Sequence, residues 1–386
     1  MVPFSILKSF MTPFNIPCSV GSEAAAVQSA IEGGHISGNG PFTAKVKAIL
    51  AEKLGFEYVF PTHSGTGALE MAAMLCEFQP GDEVILPSFT HVGTANAFER
   101  AGAKLVFADS LAAHPNISPE AVLACITPKT KALVVVHYAG MACDMDAFQK
   151  ICEVHNLRLI EDAAHAIGAA YNSKNLGKFG SMAAFSFHET KNITCGQGGM
   201  LVVNDDKLLD RAAILWENGT NRAAFFKGEV NQYTWVDTGS CFTLSDLNAA
   251  YLYAQLEVLE SIQARRLAIW NRYAEKLKPL LENTSIKMPI IPDLASINGH
   301  IFYLILPNRS KRDALIQHLG NAGTLAVFHY IPLHSSPHFA AKHSGIALFN
   351  AEKFSDCLLR LPMYDSLSES TQDEIILAVR EWIQES

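Results

Sequence analysis

The chain has 386 residues, of which 49% are hydrophobic and 18% are charged, and its formal net charge is −8. This length and composition predict a globular protein with a large core and two structural domains, and they exclude a disordered chain. The acidic balance argues against a nucleic-acid partner, because such a partner requires a basic surface.

Targeting and redox signals favour a cytoplasmic protein. No run of about 18 apolar residues is present, so we expect no transmembrane helix. The N-terminus lacks a basic segment followed by an apolar one, so export is not expected. Eight cysteines are spread from Cys18 to Cys357 without a CxxC pair. This spacing is typical of free thiols and predicts neither a disulfide framework nor a metal site.

The first two-thirds of the chain alternates short apolar strands with helical stretches. Strands are predicted at 58–60, 83–86, 104–108, 132–137, 157–161, 182–187 and 200–203. Helical patterns between them include 68–76, 92–101 and 146–155. This alternation predicts an α/β fold, in which a mostly parallel seven-stranded sheet carries helices on both faces.

The last third changes character. Residues 244–281 form a helical pattern that ends in a charged, amphipathic stretch. Beyond Pro289 we predict strands at 301–306 and 325–328, a helix at 311–319 and two late helices, of which the closing one spans 372–383. We therefore expect a large domain over 1–243 that includes the N-terminal segment, connecting helices over 244–281, and a smaller C-terminal α+β domain over 282–386.

Two residues at strand ends predict the chemistry. Lys191 lies between the apolar run 182–185 and a glycine cluster at 196–199, whereas Asp162 follows the apolar strand 157–161. A buried amine and a buried carboxylate, each at a strand end, are what a pyridoxal phosphate (PLP) enzyme needs. The amine binds the cofactor aldehyde, and the carboxylate keeps the pyridine nitrogen protonated.

A phosphate site is predicted where a strand leads into a helix at Ser64-Gly65-Thr66-Gly67. Small residues there let the backbone approach an anion, and the helix N-terminus supplies N–H groups. An ordinary helix cap by Ser64 or Thr66 is the alternative. Ser186 precedes Lys191 by five positions, so its hydroxyl is a further candidate for the phosphate.

The remaining candidates for the cofactor site have equally ordinary alternatives. Phe89 or His91, directly after a strand, offers a planar ring to stack on the cofactor. Alternatively, either side chain is simply packed within its loop and has no contact with a cofactor. His165 is a candidate to hydrogen-bond the cofactor's phenolic oxygen, or else it is a structural histidine.

An ordered series of motifs runs through the chain: SGTGAL, PSFTHVGT, HYAGMACDMD, EDAAHA, SFHETKN with GGM, GTNR and SDLNAAY. From about Pro13 to the C-terminal helix, this series resembles the sugar aminotransferases of the DegT/DnrJ/EryC1/StrS family. These are PLP enzymes of the aspartate-aminotransferase fold, type I. The resemblance depends on the order of the motifs, because each motif alone has low specificity for the family.

The resemblance implies a role for each matching residue. Lys191 becomes the lysine that binds the cofactor covalently, and Asp162 becomes the partner of the pyridine nitrogen. The residues implied to contact the phosphate or the ring are Gly65, Thr66, Ser186, His91 and His165. His91 stands where the family has Phe, Tyr or Trp, and Gln197 stands where Glu is frequent.

The resemblance also implies a homodimer with active sites at the subunit interface. Segment 239–245 is then expected to reach the phosphate site of the partner. Thr243 occupies a position where many members have an Asn for that contact. The candidate sugar and diphosphate contacts are Asn39, in the loop 37–41, with His329, Tyr330 and His334; a plain turn and a core strand end are their alternatives.

For the substrates, the resemblance implies glutamate as amino donor and a nucleotide-linked ketosugar, dTDP-4-keto-6-deoxyglucose, as acceptor. Another dTDP- or UDP-linked ketosugar, or the epimeric product, remains an open alternative. Two rivals are weaker: a sugar dehydratase of the same fold, whose members carry histidine in place of Lys191, and a regulator that binds PLP without catalysis.

Overall fold

A computed structural model describes residues 11–343 and 345–385. The strands are β1 Val59–Thr62, β2 Glu83–Pro87, β3 Lys104–Ala108, β4 Thr130–Val136, β5 Arg158–Asp162, β6 Ala170–Tyr171, β7 Lys174–Asn175, β8 Met182–Ser186, β9 Gly199–Val203, β10 Ala295–Ser296, β11 Tyr303–Ile305, β12 Val327–Phe328 and β13 Leu358–Arg360. The helices are α1 Glu23–Glu32, α2 Pro41–Leu54, α3 Gly65–Leu75, α4 Val92–Arg100, α5 Pro119–Cys125, α6 Met145–His155, α7 Leu209–Trp216, α8 Arg222–Phe226, α9 Asp246–Glu257, α10 Leu259–Leu281, α11 Arg309–Asn321, α12 Phe349–Cys357 and α13 Glu369–Glu385.

The central sheet has seven strands in the order β1-β9-β8-β5-β4-β2-β3. Strands β8, β5, β4, β2 and β3 are parallel, while β9 runs antiparallel to both of its neighbours, β8 and β1. The predicted α/β fold with a mostly parallel seven-stranded sheet is therefore confirmed. The carboxyl ends of the parallel strands meet at one edge, where ligands bind in sheets of this kind.

Both faces of this sheet are buried, and the side chains of β4 show why its sequence is continuously apolar. Ala132 and Val134 belong to one hydrophobic cluster, which extends to the C-terminal elements. Leu133 and Val135 belong to the cluster on the other face. Alternate residues of a strand point to opposite faces, so a strand covered on both sides needs apolar residues throughout.

A smaller antiparallel sheet, in the order β11-β13-β12, forms the C-terminal domain. Its middle strand, β13, was not predicted from the sequence. The strand has three residues and follows helix α12 without a loop, so no alternating pattern marks it. The predicted strand at 325–328 is shorter in the structure, at Val327–Phe328.

Helices α1 and α2 were also missed, although both pack against α9. The start and end of α2 did carry a signal. Pro41 occupies the first turn, and Gly55 ends the helix with a positive φ of 69°, which is the usual placement of these two residues.

Within the described part of the chain, no helix has the length and hydrophobicity to span a membrane. Across residues 11–343 and 345–385, no group of three or more His, Cys, Asp or Glu side chains is arranged to hold a metal ion.

Candidate active site

A cavity of about 530 Å³ opens at the carboxyl ends of the parallel strands. Most of the predicted site residues line it: Gly65, Thr66, His91, Asp162, His165, Ser186, Lys191, His329 and Tyr330. We call the groups supplied by the central sheet and its loops (Gly65, Asp162, Ser186 and Lys191) the sheet wall. The groups supplied by the C-terminal third (His300, His329, Tyr330 and Arg360) are the C-terminal wall.

Lys191 is held in a tight loop between β8 and β9. Its amide donates to the carbonyl of His188 at 2.9 Å. The next residue, Asn192, is buried and donates its side-chain amide to the carbonyl of Asn298 at 2.8 Å. Removal of the amine from water lowers the pKa of Lys191 to about 8, against the opposing effect of the Asp162 carboxylate. The lowered pKa raises the neutral fraction of the amine near physiological pH to about a tenth or more, and a nucleophile or base requires this neutral form.

Asp162 ends β5 and is 5% exposed. Its Oδ2 accepts a hydrogen bond from the Thr94 hydroxyl at 2.7 Å, and its Oδ1 accepts one from the Ala164 amide at 3.1 Å. Thr94 Oγ1 lies 3.0 Å from the hydroxyl of Thr90. These contacts orient the carboxylate at the cavity.

The glycine turn before α3 forms the opposite part of the sheet wall. The Ser64 side chain caps the helix by accepting from the Gly67 amide at 2.9 Å. The first amides of the helix, at Gly65 and Thr66, have no acceptor within it. A Cβ added at Gly65 would lie 2.8 Å from the Cβ of Ser186, so glycine permits this close approach. The turn is thus compatible with both interpretations of the sequence, a helix cap and a phosphate site. Ser64 caps the helix, while Gly65 and Thr66 line the cavity.

His165 and His300 form a buried pair of rings beside Lys191, with centroids 4.4 Å apart. The Ala139 amide donates to His165 Nδ1 at 3.3 Å, so the proton of a neutral ring lies on Nε2. Burial lowers the pKa of His165 well below its usual value, with a further contribution from the Lys191 charge, and the ring is neutral. A neutral His165 with a free Nε2–H is a hydrogen-bond donor for a ligand oxygen.

His91 lines the cavity and is the N-cap residue of helix α4. Its Nδ1 accepts a hydrogen bond from the Gly93 amide at 3.0 Å. Burial lowers the pKa of His91, against the opposing effect of Asp162. The alternative stacking residue, Phe89, is 1% exposed and packs against Tyr138 and Tyr330 in the core. Of the two predicted stacking residues, His91 is the one that lines the cavity.

The C-terminal wall is built from aromatic rings and one arginine. The rings of His329 and Tyr330 stack with centroids 3.8 Å apart. The Nη1 of Arg360 lies 2.5 Å from His329 Nε2, and the Tyr138 hydroxyl lies 3.3 Å from His329 Nδ1. Burial and the Arg360 charge lower the pKa of His329 far below its usual value. A neutral His329 ring nitrogen therefore accepts from the guanidinium.

Three predicted residues do not line this cavity in their own chain. Asn39 adopts a positive φ of 61° and donates to Glu217 Oε1 at 3.1 Å. Thr243 forms an isolated β-bridge with Thr62 at the edge of β1. His334 is 6% exposed, and its Nδ1 lies 2.7 Å from the buried hydroxyl of Ser88 while its Nε2 contacts Glu352 at 3.3 Å.

The residues of the cavity that sequence reasoning missed include Thr94, His300 and Arg360. Thr94 lies one helical turn after Thr90, so the two threonines flanking His91 were the available signal. No local pattern marks His300 or Arg360, because each is far along the chain from Lys191. His300 precedes β11 and Arg360 ends β13, and both line the cavity.

The arrangement fits PLP. The turn at Gly65 and Thr66, with the Ser186 hydroxyl, offers donors to a phosphate where a Cβ on Gly65 would not fit. Asp162 offers an ionised carboxylate to a protonated pyridine nitrogen. Lys191 offers an amine of lowered pKa to an aldehyde.

Known proteins match this chain over nearly its whole length. The family model described as the DegT/DnrJ/EryC1/StrS aminotransferase family matches residues 17–380. The aminotransferase TlmJ from Streptoalloteichus hindustanus is 30% identical at a TM-score of 0.89, with 97% of this chain and 99% of that chain covered. DesV from S. venezuelae, in complex with a ketimine intermediate, is 32% identical at a TM-score of 0.87, with the same coverage.

A third structure bears on the cofactor. The putative sugar aminotransferase Spr1654 from Streptococcus pneumoniae, in its PMP form, is 25% identical at a TM-score of 0.88, with 97% of this chain and 99% of that chain covered. The family match, together with a cavity that fits PLP, identifies the chain. It belongs to the DegT/DnrJ/EryC1/StrS aminotransferase family of PLP-dependent sugar aminotransferases.

Proposed function

We propose that this protein is a dTDP-4-amino-4,6-dideoxygalactose transaminase. It transfers the amino group of glutamate to dTDP-4-keto-6-deoxyglucose in the cytoplasm, for the synthesis of a surface polysaccharide such as lipopolysaccharide. One observation carries the transaminase activity: a lysine of lowered pKa and a hydrogen-bonded, buried aspartate line the same cavity as a glycine turn at a helix N-terminus.

Lys191 has two tasks in this reaction. Its neutral amine would hold the cofactor by its aldehyde, and the same amine would take the proton from the donor's α-carbon and return it. Burial supports both tasks, because it lowers the pKa of Lys191 to about 8. The bound cofactor supplies an electron sink for the negative charge that proton removal leaves on that carbon.

The other residues of the sheet wall hold the cofactor in position. Asp162, fixed by Thr94 and Ala164, would keep the pyridine nitrogen protonated. The amides of Gly65 and Thr66, with the Ser186 hydroxyl, would bind the phosphate. His165 would donate its Nε2–H to the phenolic oxygen, and the His91 ring would pack against the cofactor ring.

The sugar nucleotide binds between the cofactor and the C-terminal wall, where His329 and Tyr330 contact it. We further propose a homodimer in which Thr243 and Asn39 complete the active site of the partner. Their position outside the cavity of their own chain supports this arrangement. His334 remains a predicted sugar-nucleotide contact, although its ring is already hydrogen-bonded to Ser88.

The test is a substrate panel. The purified enzyme is incubated with L-glutamate and with dTDP- and UDP-linked 4-ketosugars and 3-ketosugars, and NMR gives the configuration of each product. We expect amination of dTDP-4-keto-6-deoxyglucose to the 4-amino galacto product. Preference for another carrier, for a 3-ketosugar or for the gluco product would replace the substrate assignment within the same reaction class. Dehydration without transfer of nitrogen would contradict the transaminase assignment.

A further inference from the structure

We propose that His300 accepts a hydrogen bond from the amine of Lys191 while that amine carries the proton it moves, and that Asn192 enables this by fixing the ring proton of His300 on Nδ1. This assigns His300 to the proton-transfer step, which both halves of the reaction share. The inference rests on the proposed transaminase function, because Lys191 moves a proton only in that reaction.

Asn192, the residue after Lys191, determines which nitrogen of His300 carries the proton. Its Nδ2 donates to the carbonyl of Asn298 at 2.8 Å, and its Oδ1 lies 2.8 Å from His300 Nδ1. A carbonyl only accepts, so the amide nitrogen faces Asn298 and the amide oxygen faces the ring. That oxygen also only accepts, and His300 Nδ1 therefore carries a proton.

The second ring nitrogen of His300 is consequently an unprotonated acceptor. Burial and the nearby charge of Lys191 lower the pKa of His300 well below its usual value, so the ring is neutral and has a single proton. Among residues 11–343 and 345–385, no donor is hydrogen-bonded to Nε2, and this atom is not one of the fully enclosed polar atoms without a partner. Nε2 is therefore accessible from the cavity that His300 lines.

The main chain around His300 is held in position. Arg266, on α10, donates to the carbonyls of Gly299 and His300 at 3.2 and 3.0 Å. Gly299 has a positive φ of 62°, and a Cβ there would lie 2.8 Å from the main-chain carbonyl of Arg266, so glycine permits this contact. Asn298 donates its side-chain amide to the carbonyl of His165 at 2.8 Å. The acceptor is thus fixed before any ligand binds.

The neighbouring histidines of the cavity present donors instead. His165 accepts from the Ala139 amide through Nδ1, and His91 accepts from the Gly93 amide in the same way. Each of these two rings therefore has its proton on Nε2. The centroids of the His165 and His300 rings lie 4.4 Å apart. The cavity places a donor ring beside an acceptor ring, and the acceptor suits a cation such as an ammonium group.

Proton transfer creates the need for such an acceptor. When Lys191 takes the proton of the donor's C–H bond, the electron pair of that bond stays with the carbon and the amine becomes an ammonium. Return of the proton makes the amine neutral again. A buried ammonium without an acceptor is destabilised. Asp162 already accepts from Thr94 and Ala164, whereas His300 Nε2 has no donor in the part of the chain that the structure describes.

Lys191 and His300 share one electrostatic environment. Both line the cavity, and after burial the Lys191 charge has the largest influence on the pKa of His300. The titratable groups that interact with the Lys191 amine are Asp162, His91, His165, His300, His329 and Arg360. The charges of Arg266 and Arg360 also disfavour a protonated His300 ring, so the ring accepts a hydrogen bond and does not take the proton.

The test compares wild type with three variants and a control. His300→Phe keeps a ring beside His165 but has no acceptor, and His300→Gln restores an acceptor oxygen. Asn192→Ala leaves the His300 ring in place and frees its proton to move to Nε2. His338→Gln, which removes a surface contact with Glu99, is the control variant. Urea denaturation verifies that each variant is folded.

Two measurements follow the proton. Single turnovers of the PLP form with L-glutamate and with its α-deuterated form give the rate and the isotope effect of the first half-reaction. The aminosugar product starts the reverse of the second half-reaction. Trace acetylation of the cofactor-free protein at a series of pH values, with mass spectrometry of the peptide that contains Lys191, gives the titration midpoint of the amine itself.

We expect His300→Phe to slow both half-reactions by about 10-fold, as the loss of a hydrogen bond to a charged group predicts. Its isotope effect should be at least as large as that of wild type, and the KM for glutamate should change little. The acetylation midpoint of Lys191 should fall by about one pH unit, because the ammonium loses an acceptor that stabilised it. His300→Gln should recover most of the rate, and Asn192→Ala should fall between His300→Phe and wild type.

An unchanged midpoint in a folded His300→Phe would overturn the inference, and so would a loss confined to one half-reaction, which would indicate a substrate contact. If His300→Phe does not fold, Asn192→Ala decides, and a rate and midpoint equal to those of wild type would overturn the inference. If glutamate conversion depends on His300 while no ketosugar is aminated, the sugar assignment fails and the inference stands. If wild type converts no amino acid, the transaminase assignment itself fails, whereas an unchanged midpoint in an active enzyme refutes only the role of His300.

Discussion

The two walls of the cavity differ in how the chain builds them. The sheet wall consists of strand ends and short loops, in which each functional group lies within a few residues of the strand or helix that positions it. The C-terminal wall consists of side chains in and next to the strands of a small sheet, more than 100 residues later in the sequence than Lys191. We propose cofactor binding for the first wall and substrate selection for the second.

The largest effect should follow a change in the sheet wall. Lys191→Ala removes both the amine that binds the cofactor and the base that moves the proton, so turnover should fall by at least about 10³-fold. The visible absorbance of covalently bound PLP should disappear as well. Lys207→Ala, at an exposed lysine, is the control and should behave as wild type. Normal transamination by Lys191→Ala would remove this residue from the site.

A smaller loss is expected from the support of Asp162. Thr94→Val keeps the size of the side chain but removes the 2.7 Å hydrogen bond to Asp162 Oδ2. Loss of a hydrogen bond to a charged group should lower kcat by about 10-fold. Asp162→Asn should lower kcat further than Thr94→Val does, because it removes the negative charge itself. Steady-state kinetics of the two variants tests this order, and the reverse order would contradict the assigned roles.

The pH dependence of cofactor loading connects the two walls. Covalent attachment requires a neutral amine, so the rate at which PLP binds the cofactor-free protein should rise with pH through about 8, the pKa of Lys191. The Arg360 charge disfavours the protonated amine. Arg360→Gln should therefore raise the pKa of Lys191 and move the midpoint to higher pH. Stopped-flow absorbance measures the midpoint, and an unchanged value would mean that the walls are not coupled.

The smallest effect on catalysis is expected at His334, which belongs to the C-terminal third but lies outside the cavity. His334→Gln should lower the free energy of unfolding by about 1–2 kcal/mol, because a buried hydrogen bond to Ser88 is disturbed. Urea denaturation measures this change. A raised KM for the sugar nucleotide at unchanged stability would instead support the predicted substrate contact.

The central sheet was predictable because each strand is covered on both faces and therefore reads as a short apolar run. The strand ends then placed Asp162 and Lys191 at one edge of the sheet. By contrast, β13 has three residues, and its short length leaves no pattern to detect. The predicted contacts at Asn39 and His334 came from their motifs, and those motifs did not reveal that Glu217 and Ser88 already bind these side chains.

By itself, the sequence determined the α/β fold, the family and the cofactor, because these depend on local patterns and on the order of motifs along the chain. The tertiary structure decided which groups face the same cavity. Thr94 reaches Asp162 across 68 positions, and the C-terminal third brings His300 and Arg360 to the cavity that Lys191 lines. Side chains so distant in sequence meet because of how the two sheets pack, and that packing leaves no signature in either local segment.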